Sequence, residues 1–345
     1  MQEFDIRIDV TSAVALAEPL ETAVTIFVPE HVATRPIVCF AFPGGGYNRR
    51  YFSLDVYEDE RRGQAGWHAE RGWVFAACDY LGAGDSTHPG DPGRLTFEDI
   101  AAANHATVHE VLRRLRAGTI GAAVPKLDAP FTIGIGHSLG AAFLIVQQGQ
   151  FGTFDAIGVF GSSARHTSAW VPTGTRRLPR RFVPRGTNVA RLSPKIHHDA
   201  VPEMATGPDG MPRGTPGFHF ENVSREIVVR DMVDYPTRGG RMPVWGSATM
   251  PPCTVTVMSP GAVAPEAAMI SCPVLLGFGE RDLSADPRAE PSAYPSATDV
   301  SLFVCSGMAH MHNFAIPRQR LWSRLQAWGD AIPVTRDAVN VRLCG

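Results

Sequence analysis

Short, uninterrupted apolar runs recur along this chain with helical patterns between them, and that alternation dictates a layered α/β architecture around a mostly parallel sheet. The runs fall at residues 37–42, 73–78, 131–136, 157–160, 274–278 and 300–304. A strand that is apolar throughout, instead of alternating, is covered on both faces, as a central parallel strand is. Two earlier segments, 4–10 and 22–28, do alternate and are expected to form an antiparallel hairpin leading into the sheet. The expected sheet therefore has about eight strands, two from the hairpin and six from the runs, flanked by helices.

The helices carry readable signals. Thr96 and Asp99 have capping-box spacing and open a segment that runs through Val108, Val111, Leu112 and Leu115 to Gly118. Leu321, Leu325, Trp328 and Ile332 form an apolar stripe on the last helix, which packs one face on the sheet. Residues 164–269 break the pattern, because they are rich in Pro, Gly and Arg and offer only short pieces such as 225–233. They are expected to be an inserted cap or lid between two parts of one core, 1–163 and 270–345.

Composition excludes several classes of partner. With 44% apolar residues, 19% charged residues and a formal net charge of −2, the chain exerts no global pull on nucleic acid or an anionic membrane. No apolar run approaches the ~20 residues of a membrane helix, and the N-terminus alternates like a strand instead of a signal peptide. A cytoplasmic protein acting on a small molecule is expected, and the sequence leaves the oligomeric state, a homodimer included, open. Cys39, Cys78, Cys253, Cys272, Cys305 and Cys344 are scattered without close pairs and read as reduced thiols, with no zinc spacing. No metal or other cofactor is expected.

The strongest chemical signal is Gly136-His137-Ser138-Leu139-Gly140, between the strand FTIGI and the apolar helix AAFLIV. Small flanking residues let the backbone turn sharply from strand to helix, lifting a serine hydroxyl above the sheet edge in a strained conformation. The Leu139 N–H then points where an oxyanion would form, aided by the helix dipole. Upstream, the run 37–42 ends in Pro43-Gly44-Gly45-Gly46-Tyr47, whose glycines free the backbone to present N–H groups for the same purpose. No Gly-Lys-Ser/Thr or acidic ribose ligand follows to suggest a nucleotide loop. Downstream, Asp282 lies just past one apolar run and His310 just past the next. Serine, then aspartate, then histidine is the order in which a nucleophile, an orienting acid and a base occur on such a sheet.

Rival assignments exist for two of these roles: His312 for the base, and Glu280 or Asp286 for the acid. His310 directly follows the small residues of its turn, and Asp282 stands nearest the strand end, so these are preferred. A metal site of His310 and His312 with His197 and His198 is disfavoured, because no carboxylate-histidine spacing accompanies them. Tyr47, His137, Trp170 and Trp245 are candidate substrate contacts. Trp170, Trp245, Phe218 and Phe220 either line an apolar pocket or pack the insertion onto the core. The arginines between 176 and 191 read first as a solvated loop and second as a lip for anionic substrates.

Taken in order, these motifs resemble the α/β-hydrolase superfamily over nearly the whole chain outside 164–269. The PGGG element is similar to the family's HGxG loop, with Pro43 where histidine is usual and Gly45 at the position whose amide the family uses. Gly46 is the neighbouring candidate. Asp79-Tyr80-Leu81-Gly82-Ala83-Gly84-Asp85-Ser86 resembles the family's Asp-x-x-Gly-x-Gly-x-Ser loop, a structural element. GHSLG resembles the elbow, PVLLGFGERD the acid-bearing strand and SGMAHMHNF the histidine loop. Serine at the elbow separates the chain from dehalogenases and epoxide hydrolases of this fold, which use aspartate there. The resemblance implies hydrolysis of an ester, lactone or thioester through an acyl-enzyme. Acyl transfer, carbon-carbon bond hydrolysis and non-catalytic ligand binding are the alternatives.

Overall fold

In the computed structural model, which describes residues 1–33, 36–58, 60–122, 124–170, 176–177, 182–192, 206–236 and 238–343, the hairpin and the apolar runs join into an eight-stranded sheet. In chain order the strands are β1 (Gln2–Asp9), β2 (Glu21–Val28), β3 (Ile37–Phe42), β4 (Val74–Cys78), β5 (Phe131–His137) and β6 (Ala156–Phe160). A short ribbon of β7 (Ala169–Trp170) and β8 (Arg176–Arg177) follows, then β9 (Val274–Arg281) and β10 (Val300–Ala309). Across the sheet the order is β1-β2-β4-β3-β5-β6-β9-β10. β2 is antiparallel to both neighbours, and every later pair is parallel. The helices are α1 (Gly63–Ala69), α2 (Phe97–Ala117), α3 (Leu139–Phe151), α4 (Thr215–Phe218), α5 (Arg225–Met232), α6 (Ala264–Met269) and α7 (Arg318–Leu343).

Each continuous apolar run resolves into two interleaved sets with a period of two residues, one for each face of the sheet. Val38, Phe40 and Phe42 of β3, with Val74, Ala76 and Cys78 of β4, join a cluster containing residues of α2 and α3. Ile37, Cys39 and Ala41, with Phe75 and Ala77, join another that contains Ala65 and Ala69 of α1 and the stripe Leu321, Leu325, Trp328 and Ile332 of α7. Burying each of Phe40, Phe42 and Phe75 contributes roughly 1.5–3 kcal/mol to holding the sheet between its helices. The capping box is present: Thr96 Oγ1 accepts the Asp99 N–H at 3.0 Å, and Asp99 Oδ2 accepts the Thr96 N–H at 3.0 Å. Cys39, Cys78, Cys253 and Cys305 are buried thiols, Cys272 is a half-buried thiol, and Cys344 lies outside the described residues.

The chain places β4 on one side of β3 and the later strands on the other, so the strand order reverses at β3. Ligands of open α/β sheets bind beyond the carboxyl ends of strands at such a point. The loops following β3, β5, β9 and β10 all leave from that edge.

The loop after β4 is structural. Asp79 is fully buried and accepts the backbone N–H groups of Arg49 at 2.5 Å and Asp85 at 2.9 Å, and Arg49 Nη1 at 2.6 Å. A side chain at Gly84 would collide with this carboxylate. Burial pushes the Asp79 carboxyl up, and the Arg49 guanidinium opposes the shift. Arg49→Met is expected to lower the unfolding free energy by about 3–5 kcal/mol, since it strands a buried charge. Urea denaturation checks this, and a loss below about 1 kcal/mol would mean that the backbone donors satisfy Asp79 without the guanidinium.

Part of the stretch expected as insertion packs against the core. Cys253, Val255, Val263 and Ala267 are buried in the cluster containing α2 and α3. Pro251, Pro252, Pro260 and Pro265 interrupt any helical period there, so the apolar residues gave no readable stripe. The described pieces α4 and α5 instead lie toward the strand ends, where the carbonyls of Gly217 and Phe218 accept the N–H groups of His310 and Met311 at 3.1 and 2.8 Å. Among the described residues, no helix is long and apolar enough to cross a membrane.

Candidate active site

β5 ends at His137 and α3 begins at Leu139, leaving Ser138 as the single residue of the turn, with φ 53° and ψ −118°. This lies outside the regions that non-glycine residues normally occupy, so the surrounding packing holds it under strain. The neighbours must be small. A Cβ on Gly136 would meet the Ala141 backbone at 2.5 Å, and one on Gly140 would collide with the carbonyls of Phe42 and Pro43. The Leu139 N–H has no acceptor among the described residues.

His310 Nε2 lies 3.0 Å from Ser138 Oγ, and its Nδ1–H donates to Asp282 Oδ1 at 2.7 Å. The carboxylate takes further bonds: the Leu283 N–H on Oδ1 at 2.8 Å, and on Oδ2 the Gly279 N–H at 2.8 Å and His312 Nε2–H at 2.7 Å. Burial raises the Asp282 pKa, but the imidazoles of His312 and His310 outweigh it and hold the carboxyl far below the usual carboxylate range. The group therefore stays ionised at neutral pH. His310 and His312, rivals in the sequence, occupy opposite oxygens of one carboxylate, and among the described contacts only His310 meets Ser138.

His137 is buried and donates from Nε2 to the His310 carbonyl at 2.7 Å while stacking on Tyr51, ring centroids 5.0 Å apart. Burial, then the neighbouring imidazoles of His310 and His312, push its pKa well down, so the ring is neutral. Ser138 and Gly45 are half-buried, whereas His310, Asp282, His312 and His137 are buried. Half-buried Phe218, Tyr235 and Met250 lie against His310 and the 43–47 loop. Phe218 meets His310 edge-on at 5.3 Å and Tyr235 at 6.4 Å between centroids, and a Cβ on Gly45 would come 2.7 Å from Met250 Sδ.

No family model matches the sequence, and no curated protein matches it. Solved structures do match. A peroxisomal alpha-beta-hydrolase from Saccharomyces cerevisiae is 11% identical, with 97% of this chain and 90% of that chain covered at a TM-score of 0.56. The chain has the α/β-hydrolase fold. An enol-lactonase from Burkholderia xenovorans is 15% identical over 90% of this chain and 97% of that chain, with a TM-score of 0.54. A haloalkane dehalogenase loop variant from Bradyrhizobium elkanii is 15% identical over 98% and 99%, with a TM-score of 0.57. Their activities differ, so the α/β-hydrolase fold does not by itself select a reaction.

Within this α/β-hydrolase fold, Ser138, Asp282 and His310 come together, and the loop 43–47 lies against the elbow. A Cβ on Gly44 would come 3.3 Å from Ser138 Cβ. The rival acids sit elsewhere: Glu280 Oε2 accepts the Gly307 N–H at 2.9 Å, and Asp286 accepts the Arg288 N–H at 3.1 Å. Two of the candidate substrate contacts are committed inside the protein. Tyr47 Oη and Trp245 Nε1 both donate to buried Asp231, at 2.7 and 2.9 Å, so neither offers its polar atom to a ligand. Trp170 is half-buried against the Arg281 guanidinium, 4.5 Å from its ring centroid. Phe220 covers Arg281 at 4.0 Å, and Glu221 pairs with it at 2.7 Å.

Of the arginine-rich stretch, Arg185 is neutralised by Glu266 at 2.5 Å and Glu98 at 2.6 Å. Arg180, Arg181, His197 and His198 lie outside the described residues. Among the described residues, no group of three or more His, Cys, Asp or Glu has metal-holding geometry. Sequence reasoning missed Asp231 on α5 and Tyr235 and Arg238 just beyond it, which share no recognisable spacing.

Proposed function

We propose that the chain is a serine hydrolase that cleaves a carboxylic ester, lactone or thioester of a small to medium organic substrate through an acyl-enzyme. The observation that carries this reading is the continuous hydrogen-bonded line from Ser138 Oγ to His310 Nε2 at 3.0 Å and from His310 Nδ1 to Asp282 Oδ1 at 2.7 Å. A serine hydroxyl attacks only when a base takes its proton, and that line supplies the base together with the acid that fixes its tautomer.

Ser138 Oγ attacks the carbonyl carbon as its proton passes to His310 Nε2. The tetrahedral oxyanion is received by the N–H groups of Leu139, Gly45 and Gly46, none of which has an acceptor among the described residues. Collapse expels the alcohol or thiol, which takes the proton from His310. Water then repeats the sequence on the acyl-enzyme. Asp282 stays ionised throughout and stabilises the imidazolium. Phe218 beside His310, with Tyr235 and Met250 beside the 43–47 loop, favours an apolar acyl group.

Stopped-flow mixing with p-nitrophenyl acetate tests the reading. Where deacylation is the slower step, one equivalent of p-nitrophenol appears in a burst before steady turnover. A fluorophosphonate should label Ser138 in the folded protein and not in protein unfolded in urea. Absence of both labelling and turnover would overturn the proposal.

A further inference from the structure

The 43–47 loop poses a physical problem, because three successive glycines can turn their peptide planes freely. An oxyanion site needs those planes fixed before the reaction, since donors that must reorient lose much of their benefit. In a trans peptide the carbonyl and the following N–H point in opposite directions, so whatever holds the carbonyl also aims the N–H.

The carbonyls of Gly44, Gly45 and Gly46 are all held. The Gly44 carbonyl accepts the Tyr47 N–H at 3.2 Å and the Tyr80 hydroxyl at 3.3 Å. The Gly45 carbonyl accepts the Tyr235 hydroxyl. The Gly46 carbonyl accepts Arg238 Nη1 at 2.9 Å and the Ser247 N–H at 2.9 Å. Gly46 has φ 75°, which only glycine adopts readily, and a Cβ there would sit 2.7 Å from Tyr235 Oη.

Arg238 is held in turn by Asp231, a fully buried carboxylate on α5. Its Nε donates to the Asp231 carbonyl at 2.9 Å and its Nη2 lies 3.4 Å from Oδ1. Tyr47 Oη, His219 Nε2 and Trp245 Nε1 donate to the same carboxylate at 2.7, 2.9 and 2.9 Å. The inserted segment thus supplies a fixed frame for the loop.

We propose that Tyr235 and Arg238 are positioning residues that clamp the Gly45 and Gly46 carbonyls and thereby aim the Gly46 N–H and the rest of the loop at the reacting carbonyl oxygen. The inference rests on the reading of this loop as the oxyanion site. It gives the insertion a part in rate as well as in substrate choice.

The test uses Tyr235→Phe, which keeps the ring and removes only the hydroxyl. With p-nitrophenyl acetate, kcat should fall about 10-fold with KM within about twofold, because the clamp acts on the transition state and not on substrate binding. The inhibition constant of an aliphatic trifluoromethyl ketone, which forms a tetrahedral adduct with the serine, should weaken by the same factor as kcat/KM. Arg238→Lys, which keeps one donor, should retain more activity than Arg238→Met. If the Arg238 variants fail to fold, Tyr235→Phe decides. Wild-type kcat and ketone affinity in folded Tyr235→Phe, or a change confined to KM, would overturn the clamp and leave the hydrolase reading intact. Equal turnover by wild type and Ser138→Ala would sink that reading and the clamp with it.

Discussion

Ser138→Ala is expected to lower the turnover of an activated ester by roughly 10⁴- to 10⁶-fold, the range set by removing the nucleophile of a serine protease. The residual rate comes from substrate binding and the backbone donors. The change should cost little stability, because the Ser138 side chain makes no capping bond to α3 and its partner His310 keeps its bonds to Asp282 and, through its carbonyl, to His137. Circular dichroism and thermal unfolding should therefore match the wild type within a few degrees. The measurement is steady-state turnover normalised by titration of the wild-type serine. Activity within about 10-fold of wild type would exclude Ser138 as the nucleophile.

Asp282→Asn is expected to be nearly as damaging, with kcat lower by about 10⁴-fold. The carboxylate faces donors on both sides, His310 and Leu283 at Oδ1, His312 and Gly279 at Oδ2. An amide must turn its NH2 toward one of those pairs whichever way it flips. Facing His310, it forces the imidazole into the tautomer whose proton points at Ser138, and the base is lost. Facing His312, it leaves buried donors unmet, at about 1–3 kcal/mol each. Either orientation removes the charge that stabilises the imidazolium. Kinetics and urea denaturation on the same preparation separate the two, and a fall in kcat below about 10-fold would remove Asp282 from the reaction. Because its folded-state pKa is depressed, Asp282 stabilises the wild type above the ordinary carboxylate pKa of about 4, and that contribution is lost as pH falls. The variant should lack that part of the acid dependence.

Much of this architecture was legible from spacing. The parallel strands could be read because burial on both faces makes them apolar without a break, and each chemical residue stands immediately after such a strand. Ser138 follows β5, and His310 follows β10. Asp282 follows β9 in the same way. Pattern favoured His310 over His312 only by its place after the small residues of the turn; both are buried and both reach the same carboxylate, and the direction of each ring separates them. The Asp231 cluster was invisible for another reason. His219, Asp231, Arg238 and Trp245 have no common period, and they meet because short turns fold α5 and the segments around it back on the 43–47 loop. Trp245 and Tyr47 illustrate the same limit, as a large aromatic in a loop has equal reason to greet a ligand or to pack. Residues 252–269 pack on the core through apolar faces that their prolines keep from showing a helical period.

The suspension of His310 and Met311 from the carbonyls of Gly217 and Phe218 restricts how a molecule can get in and out. A hinged door could not use this segment as its leaf. Any outward swing would drag the imidazole off the serine, and each visit by a substrate would begin with reassembling the machinery. A substrate is therefore expected to reach the serine beside this segment, with residues 217–218 and 310–311 staying in place as one piece.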